Sequence, residues 1–277
     1  MSTQPLANRS LGLLGAGNMA EAILRGTLRA GLIAPEKITA SDVSPERRML
    51  FSKELGVKAV EGNLEVVKSS DLLVLCVKPQ QVDALLAEIS PAFDTKKTLL
   101  ASICAGVTTS RLENGLPAGA KVVRVMPNTP MLSGLGASCL CAGRNAREED
   151  LVAIEALFAS SSIVQRVPEE RMDAVTGLSG SGPAYLFYLV EAMVDAGIAE
   201  GFTRAEATRL ASRTCLGAAK MLEDTQLSPE ELRRRVTSPN GTTQAAIELL
   251  DGRDVKSSLT AAVRRAAERS RELGRGK

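Results

Sequence analysis

At 277 residues the chain is long enough for two separate cores, and its 44% apolar composition with no apolar run near the roughly 20 residues of a membrane span marks a globular protein. A net charge of only +2 argues against a nucleic-acid partner, and Glu268 and Glu272 interleave with the arginines of the final stretch as on a solvated helix face. There is no histidine, which excludes His-dependent dehydrogenases and removes the commonest metal ligand, and no carboxylate or cysteine cluster suggests a metal site.

Met1 to Arg9 is short and polar, without a secretory apolar core or a transit-peptide composition, so a cytoplasmic location is expected. Strand character begins at Leu11-Gly12-Leu13-Leu14. Gly15-Ala16-Gly17-Asn18-Met19-Ala20 follows, and a helical stretch runs on from Glu21 to Ala30. That order builds a dinucleotide phosphate site: Gly15 permits the tight turn, Gly17 lets backbone approach a pyrophosphate, and Ala20 allows close helix–strand packing. Further strands are expected at 37–41, 71–77, 98–105, 121–126 and 163–167, and helices at 45–55, 64–69, 79–89, 109–115 and 147–161. The alternation predicts a Rossmann-type, doubly wound α/β domain over residues 1–168 with a mainly parallel sheet. The five cysteines, at 76, 104, 139, 141 and 215, lack C-x-x-C spacing and read as reduced thiols.

From residue 169 to 277 strand alternation disappears, and an all-α domain is expected. Thr203-Arg204-Ala205-Glu206 and Ser228-Pro229-Glu230-Glu231 are capping boxes, the second with proline at the first helical position. The long helices, at 184–200, 204–222 and 255–273, carry many alanines on their apolar faces. So short a helical segment is expected to complete its core against another copy of the chain.

Ligands of open α/β sheets bind beyond the carboxyl ends of the strands, which singles out Ser41-Asp42, Val77-Lys78-Pro79, Cys104-Ala105-Gly106 and Met126 to Pro130. The last of these reads equally as a turn enforced by its two prolines. The block Gly177 to Tyr185 suits a helix start with exposed N–H groups and hydroxyls, or an N-cap hinge. Ser238-Pro239-Asn240-Gly241-Thr242-Thr243 again offers backbone donors and hydroxyls before a helical run, an arrangement that grips a small anion without a charged side chain.

Taken in order, Gly15 to Ala20, Val77 to Pro79, Arg124 to Pro130, Asp173 to Tyr185 and Ser238 to Thr243 resemble the signature blocks of Δ1-pyrroline-5-carboxylate reductases, over about residues 10 to 274. Asn240 departs from the pattern, standing where the family usually has a second glycine, and Asn tolerates left-handed backbone. The resemblance implies NAD(P)H-dependent reduction of a cyclic imine to L-proline, the last step of proline biosynthesis. It implies Thr243 as the hydroxyl on the ring nitrogen and the amides of Gly241, Thr242 and Thr243 on the substrate carboxylate. Ser238, in the same loop, and Glu169, near the pocket, are implied as further substrate-binding residues. The cofactor contacts implied are Gly15, Ala16, Gly17, Asn18, Met19, Ala20, Ser41, Asn63, Val77, Lys78, Pro79 and Ala105. Homodimers that assemble further, up to a ring of five, are implied as well. Asp42 favours NADH and the neighbourhood of Ser41, Ser44, Arg47 and Arg48 favours NADPH; NADPH is expected to serve at least as well. Two rivals remain. A β-hydroxyacid dehydrogenase would need a lysine on its first long interdomain helix, and residues 185–201 contain no Lys or Arg; a nucleotide sensor would have no use for the Ser238 to Thr243 loop.

Overall fold

The computed structural model describes Leu6 and residues 8 to 275, so most of the polar N-terminal stretch considered above lies outside the described residues. Eight strands form one sheet: β1 (Leu11–Leu14), β2 (Ile38–Ser41), β3 (Lys58–Val60), β4 (Leu72–Leu75), β5 (Leu99–Ser102), β6 (Lys121–Met126), β7 (Gly136–Ala142) and β8 (Ser162–Arg166). Their spatial order is β3-β2-β1-β4-β5-β6-β7-β8. All neighbours are parallel except β6 and β7, which run antiparallel with Met126 opposite Cys139. The order reverses between β1 and β4, and this switch point is where the crevice of such a sheet opens.

Period-2 alternation divides the strands between two cores. Leu11, Leu13, Leu72 and Val74 join Ile23, Leu24, Phe51 and Phe158 on one face, while Leu14, Leu73, Leu75 and Leu100 join Val66, Leu86 and Leu112 on the other. Both faces are covered, so the central strands read as unbroken apolar runs. The covering helices are α1 (Asn18–Arg29), α2 (Pro45–Met49), α3 (Asn63–Ser69), α4 (Val82–Ile89), α5 (Thr109–Asn114) and α6 (Glu148–Ala159). Two strands were not anticipated, β3 and β7. The helix expected over 45–55 ends as α2 at Met49 and continues as a wider π turn to Glu54.

A short helix, α7 (Met172–Val175), leads into a π turn at Thr176–Gly180. Contacts group residues through Ser181, and again from Arg265 onward, with the sheet; residues 182–264 form a second compact unit. By contacts the 169–181 segment groups with the sheet, and an ionic cluster lies there. Arg124 of β6, 3% exposed, meets Glu169 Oε1 at 3.3 Å and Asp173 Oδ1 at 3.4 Å, and Ser270 Oγ donates to Asp173 Oδ1 at 2.6 Å. A buried guanidinium needs such partners, and they tie 169–181 and the last helix to the sheet.

The second unit is helical: α8 (Gly182–Ala199), α9 (Arg204–Thr225), α10 (Pro229–Arg235), α11 (Thr242–Gly252) and the first half of α12 (Val255–Gly274). The Thr203 capping box closes both ways, with Glu206 N donating to Thr203 Oγ1 and Thr203 N to Glu206 Oε2, whereas at Ser228 only the N-cap half forms, Glu231 N donating to Ser228 Oγ while the Glu231 carboxylate takes Arg234 and Arg235. The buried apolar cluster of this unit is small: Val194, Ala207 and Ala211. Leu186, Phe187, Tyr188, Leu189, Leu210 and Leu249 are exposed. Among the described residues no helix is long and apolar enough to cross a membrane.

Candidate cofactor and substrate sites

Gly15 leaves β1 with φ +97°, and a β-carbon there would stand 3.0 Å from the Cys76 carbonyl oxygen, so the turn requires glycine. Gly17 caps α1 with no side-chain hydrogen bond, and nothing lies within 4 Å of where its β-carbon would be. The first-turn amides of α1 are therefore approachable, the condition for seating a phosphate. Ala20 is completely buried against the core, as close helix–strand packing demands, and Asn18 and Met19 open the helix beside it.

A groove of about 550 Å³ runs along the switch point. It brings together Gly15, Gly17, Ser41, Asn63, Val77 and Lys78 of the expected cofactor residues. Ser41 Oγ donates to Asn63 Oδ1 at 2.7 Å, and Asn63 Nδ2 donates to Glu88 at 2.9 Å, joining the ends of β2, α3 and α4. Lys78 is the cation among the described lining residues, and Pro79 starts the turn into α4. Ala16 lies in the phosphate turn and Ala105 in the loop after β5, both outside the lining. Glu61, Gln80, Gln81 and Glu88 also line the groove and were not anticipated. Glu61 follows β3, so overlooking that strand hid it; a glance at the first turn after Pro79 would have found the glutamines.

Asp42, weighed above as a ribose acceptor, lines the groove with its carboxylate bound to backbone. Its Oδ2 accepts the Ala16 N–H at 2.7 Å and its Oδ1 the Ser44 N–H at 2.9 Å. Arg47 donates through Nε to the Ala16 carbonyl and through Nη2 to Glu21, each a short contact of 2.6 and 2.8 Å. Burial works against ionisation of Glu21, yet the hydrogen bonds from Arg47 and Arg25 prevail and hold its carboxyl below the usual range. Ser44 Oγ donates to Glu46, and Arg48 donates to the Asp42 and Val43 carbonyls.

Glu169 caps α5, accepting Thr109 N–H at 2.7 Å and Thr109 Oγ1–H at 2.5 Å, in addition to its ion pair with Arg124. The loop after β6 does not line the groove. Thr129 begins a 3-10 turn, with Pro130 second, that is capped at Gly134 with φ +75°, and Asn128 bridges it by accepting from Ala137 N and donating to the Ser179 carbonyl. The Gly- and Ser-rich block is likewise no bare helix start: the Ser181 amide donates to Thr176 O and Ser179 Oγ to Val175 O. Burial pushes the Cys104 thiol up to about 11 and the Cys141 thiol to about 12, so both stay protonated at neutral pH.

In the helical unit, Ser238, Gly241, Thr242 and Thr243 share one turn. The Gly241 amide donates to Ser238 O, and a β-carbon on Gly241 would fall on Ser238 Oγ. Asn240 adopts φ +59°, the left-handed conformation expected where the family carries glycine, and its amide donates to Gln244 Oε1 at 2.8 Å. α11 starts at Thr242 with Gly241 as N-cap and no side-chain cap, so the first-turn amides point out of the helix with the Thr243 hydroxyl on the same turn. That arrangement can hold a carboxylate and present a neutral hydroxyl.

Residues 169–273 match the family model for pyrroline-5-carboxylate reductase dimerisation, and residues 10–106 the model for coenzyme F420-dependent NADP oxidoreductases. The pyrroline-5-carboxylate reductase of Methanosarcina acetivorans is 43% identical over 270 residues, covering 98% of this chain and all of that protein. That of Glycine max is 42% identical over 270 residues, 97% of each. Among solved structures, Plasmodium falciparum pyrroline carboxylate reductase with NADP bound superposes with a TM-score of 0.88 at 30% identity, covering 97% of this chain and 99% of that one. The Coxiella burnetii pyrroline-5-carboxylate reductase gives 0.87 at 33% identity, over 96% and 98%.

Proposed function

The chain belongs to the pyrroline-5-carboxylate reductase family, and we propose from that premise that it reduces Δ1-pyrroline-5-carboxylate to L-proline with NAD(P)H, the last step of proline biosynthesis. The observation that carries the reading is the presence in one chain of a switch-point groove with an open Gly17 and an uncapped α11 at Gly241 to Thr243. The groove fits a dinucleotide: the space over Gly17 is what a pyrophosphate needs, and the ends of β2 and β4 supply Ser41, Asn63, Val77 and Lys78.

A reduced nicotinamide bound there would supply the hydride for C5 of the imine, and the C=N electron pair would pass to the already protonated nitrogen. The chain's own part is positional. The amides of Gly241, Thr242 and Thr243 hold the substrate carboxylate, with Ser238 shaping their loop, and the Thr243 hydroxyl holds the ring nitrogen as its charge disappears. A protonated imine is already electrophilic, so no imidazole or thiolate is needed, which suits a chain without histidine and with buried, protonated thiols. Glu169, carried over as a substrate-binding residue, is held at the start of α5 by the Thr109 amide.

NADPH serves at least as well as NADH on this reading, because the Asp42 carboxylate is engaged by backbone amides. Residues 1–168 form the cofactor part and 169–277 the substrate and dimerisation part. The active form is a cytoplasmic homo-oligomer of dimers, up to a decamer, with the exposed apolar side chains of α8 buried in a partner copy. Purified protein mixed with substrate should oxidise NADPH and form proline, and run proline-dependent reduction of NADP+ at high pH. Folded protein that binds the cofactor without turnover in either direction would falsify the reading and leave the sensor alternative.

A further inference from the structure

We propose that Asp42 and Arg47 are positioning residues that clamp the phosphate-binding turn, gripping Ala16 by its N–H and its carbonyl, and that neither reads the 2′ position of the cofactor's ribose. The inference rests on the assignment of the groove to a dinucleotide. Ala16 stands between Gly15 and Gly17, the two residues of the turn with the widest backbone freedom. A turn of that kind offers ordered amides only if something outside it fixes the orientation of its peptide groups. The segment after β2 does so from two sides. Asp42 Oδ2 takes the Ala16 N–H at 2.7 Å, and Arg47 Nε donates to the Ala16 carbonyl at 2.6 Å.

Each arm of the clamp is itself fixed. The second Asp42 oxygen accepts the Ser44 amide at 2.9 Å, and Ser44 is the N-cap of α2, on which Arg47 sits. Arg47 is pinned by Glu21 of α1 at 2.8 Å and lies 5.6 Å over the ring of Phe51, a fully buried side chain. Arg47 thus spends Nε on the turn and an Nη2 donor on its support, and each Asp42 oxygen is held by one backbone amide. A ribose acceptor would have to turn its carboxylate toward the groove at the expense of these amide bonds, and a 2′-phosphate ligand would need its guanidinium aimed at the groove. Asp42 lines the groove with both oxygens committed, and Arg47 is absent from the lining. With the Ala16 amide held by Asp42, the donors left for a pyrophosphate begin at Gly17, where α1 has no side-chain cap.

Ordering the turn before the cofactor arrives lowers the entropy lost on binding, so the clamp should act on affinity for the part that NADPH and NADH share. The test is calorimetric titration of each nucleotide into cofactor-free protein carrying Asp42→Asn or Arg47→Lys, with the melting temperature of the cofactor-free protein as a control. Asp42→Asn keeps the size but can accept only one of the two amides; Arg47→Lys keeps a charge for Glu21 but loses the Nε donor to Ala16. Each should weaken NADPH and NADH together, by roughly 5- to 20-fold in Kd, with the ratio between them moving less than about twofold. At saturating cofactor kcat should stay within about twofold of the unchanged enzyme, so that the loss falls on KM for the nucleotide. The double substitution should lose less than the product of the singles, because both arms restrain one turn.

Tighter NADPH with weaker NADH in Asp42→Asn would make Asp42 a ribose reader, and loss of NADPH alone in Arg47→Lys would make Arg47 a 2′-phosphate ligand; either result overturns the clamp. Unchanged Kd values in both variants overturn it as well. If Asp42→Asn melts below assay temperature, Arg47→Lys carries the test, since it preserves the ion pair. Failure of the unchanged protein to bind either nucleotide would remove the functional reading and the clamp together, whereas binding that survives both substitutions removes the clamp alone.

Discussion

Phe51 and Phe158 are shielded completely within the α/β unit, whereas in the helical unit the residues of similar bulk, Phe187 and Tyr188, are 63% and 74% exposed. The first unit encloses two cores on the faces of one sheet; the second gathers Val194, Ala207 and Ala211, with Gly197 admitting the Ala207 methyl group between α8 and α9. A helix that is apolar on every side, as α8 is from Leu186 to Leu189, belongs in an interior. The difference teaches that burial in this protein is finished within one copy of the chain in the α/β unit, and calls for another copy in the helical one.

Four measurements break or sharpen that contrast. The largest effect is expected from Phe187→Glu combined with Tyr188→Glu. On a solvated surface such changes shift stability by about 0.5 kcal/mol or less, but in a two-fold interface each buried charge is met twice. Light scattering should then give the 29.2 kDa mass of one chain, with turnover lost; an unchanged assembly would show that α8 is not the contact. Phe158→Ala comes next, on the self-contained side. Emptying a site in the main core should cost about 3–5 kcal/mol and lower Tm by on the order of 10 °C, equally at every protein concentration. A concentration-dependent loss would mean that this core too leans on a partner.

Thr243→Val keeps the shape of the α11 turn and deletes one hydroxyl. Its loss should cost about 1–3 kcal/mol, or roughly 5- to 150-fold in kcat/KM, without altering the mass of the assembly. Full activity in Thr243→Val alongside a crippled Ser238→Ala would move the role to Ser238. The smallest effect concerns pH. The Glu21 carboxyl is depressed as described, and that of Asp71, opposed by burial, is held down by the Ser10 amide and hydroxyl and by Lys97. A depressed carboxyl adds stability above its unfolded pKa of about 4, and that stability is lost as pH falls through the lower folded value. No histidine titrates between, so Tm should be flat from about pH 8 to 5 and decline below about pH 4. A step near pH 6.5 would contradict this.

The phosphate turn was legible because each of its positions has a local steric reason: Gly15 lies against Cys76, Gly17 is open, and Ala20 is buried. The N-caps at Thr203 and Ser228 were legible on the same grounds, their partners lying three residues away, though Glu231 gives its carboxylate to nearby arginines and leaves the second box half made. β7 was not. Gly136-Ala-Ser-Cys-Leu-Cys-Ala142 is built mostly of small residues with little strand preference, and pairing with β6 and β8 on either side is what makes it a strand. β3, three residues long and partly exposed, left no alternation to read, and Glu61 was lost with it. Asp42 shows the remaining gap: its residue type and position after β2 suggest a ribose acceptor, while its partner at Ala16 lies 26 residues back and is visible only in the fold. Glu169, linked to Thr109 and Arg124 at separations of 60 and 45 residues, is hidden in the same way.

α12 begins in the helical unit and ends packed with the sheet, where Ser270 closes on Asp173 across 97 residues of sequence and the Ser270 carbonyl lies 2.8 Å from where a β-carbon on Gly106 would stand. Synthesis on a ribosome therefore delivers the strands and α7 well before the segment that seals them. Until that segment emerges, Asp173 lacks its hydroxyl donor and Gly106, at φ +76°, has no backbone against it. Those contacts of the α/β part wait for the whole time the helical unit is being made, so losing residues from 265 onward would remove support from the half of the molecule that was translated first.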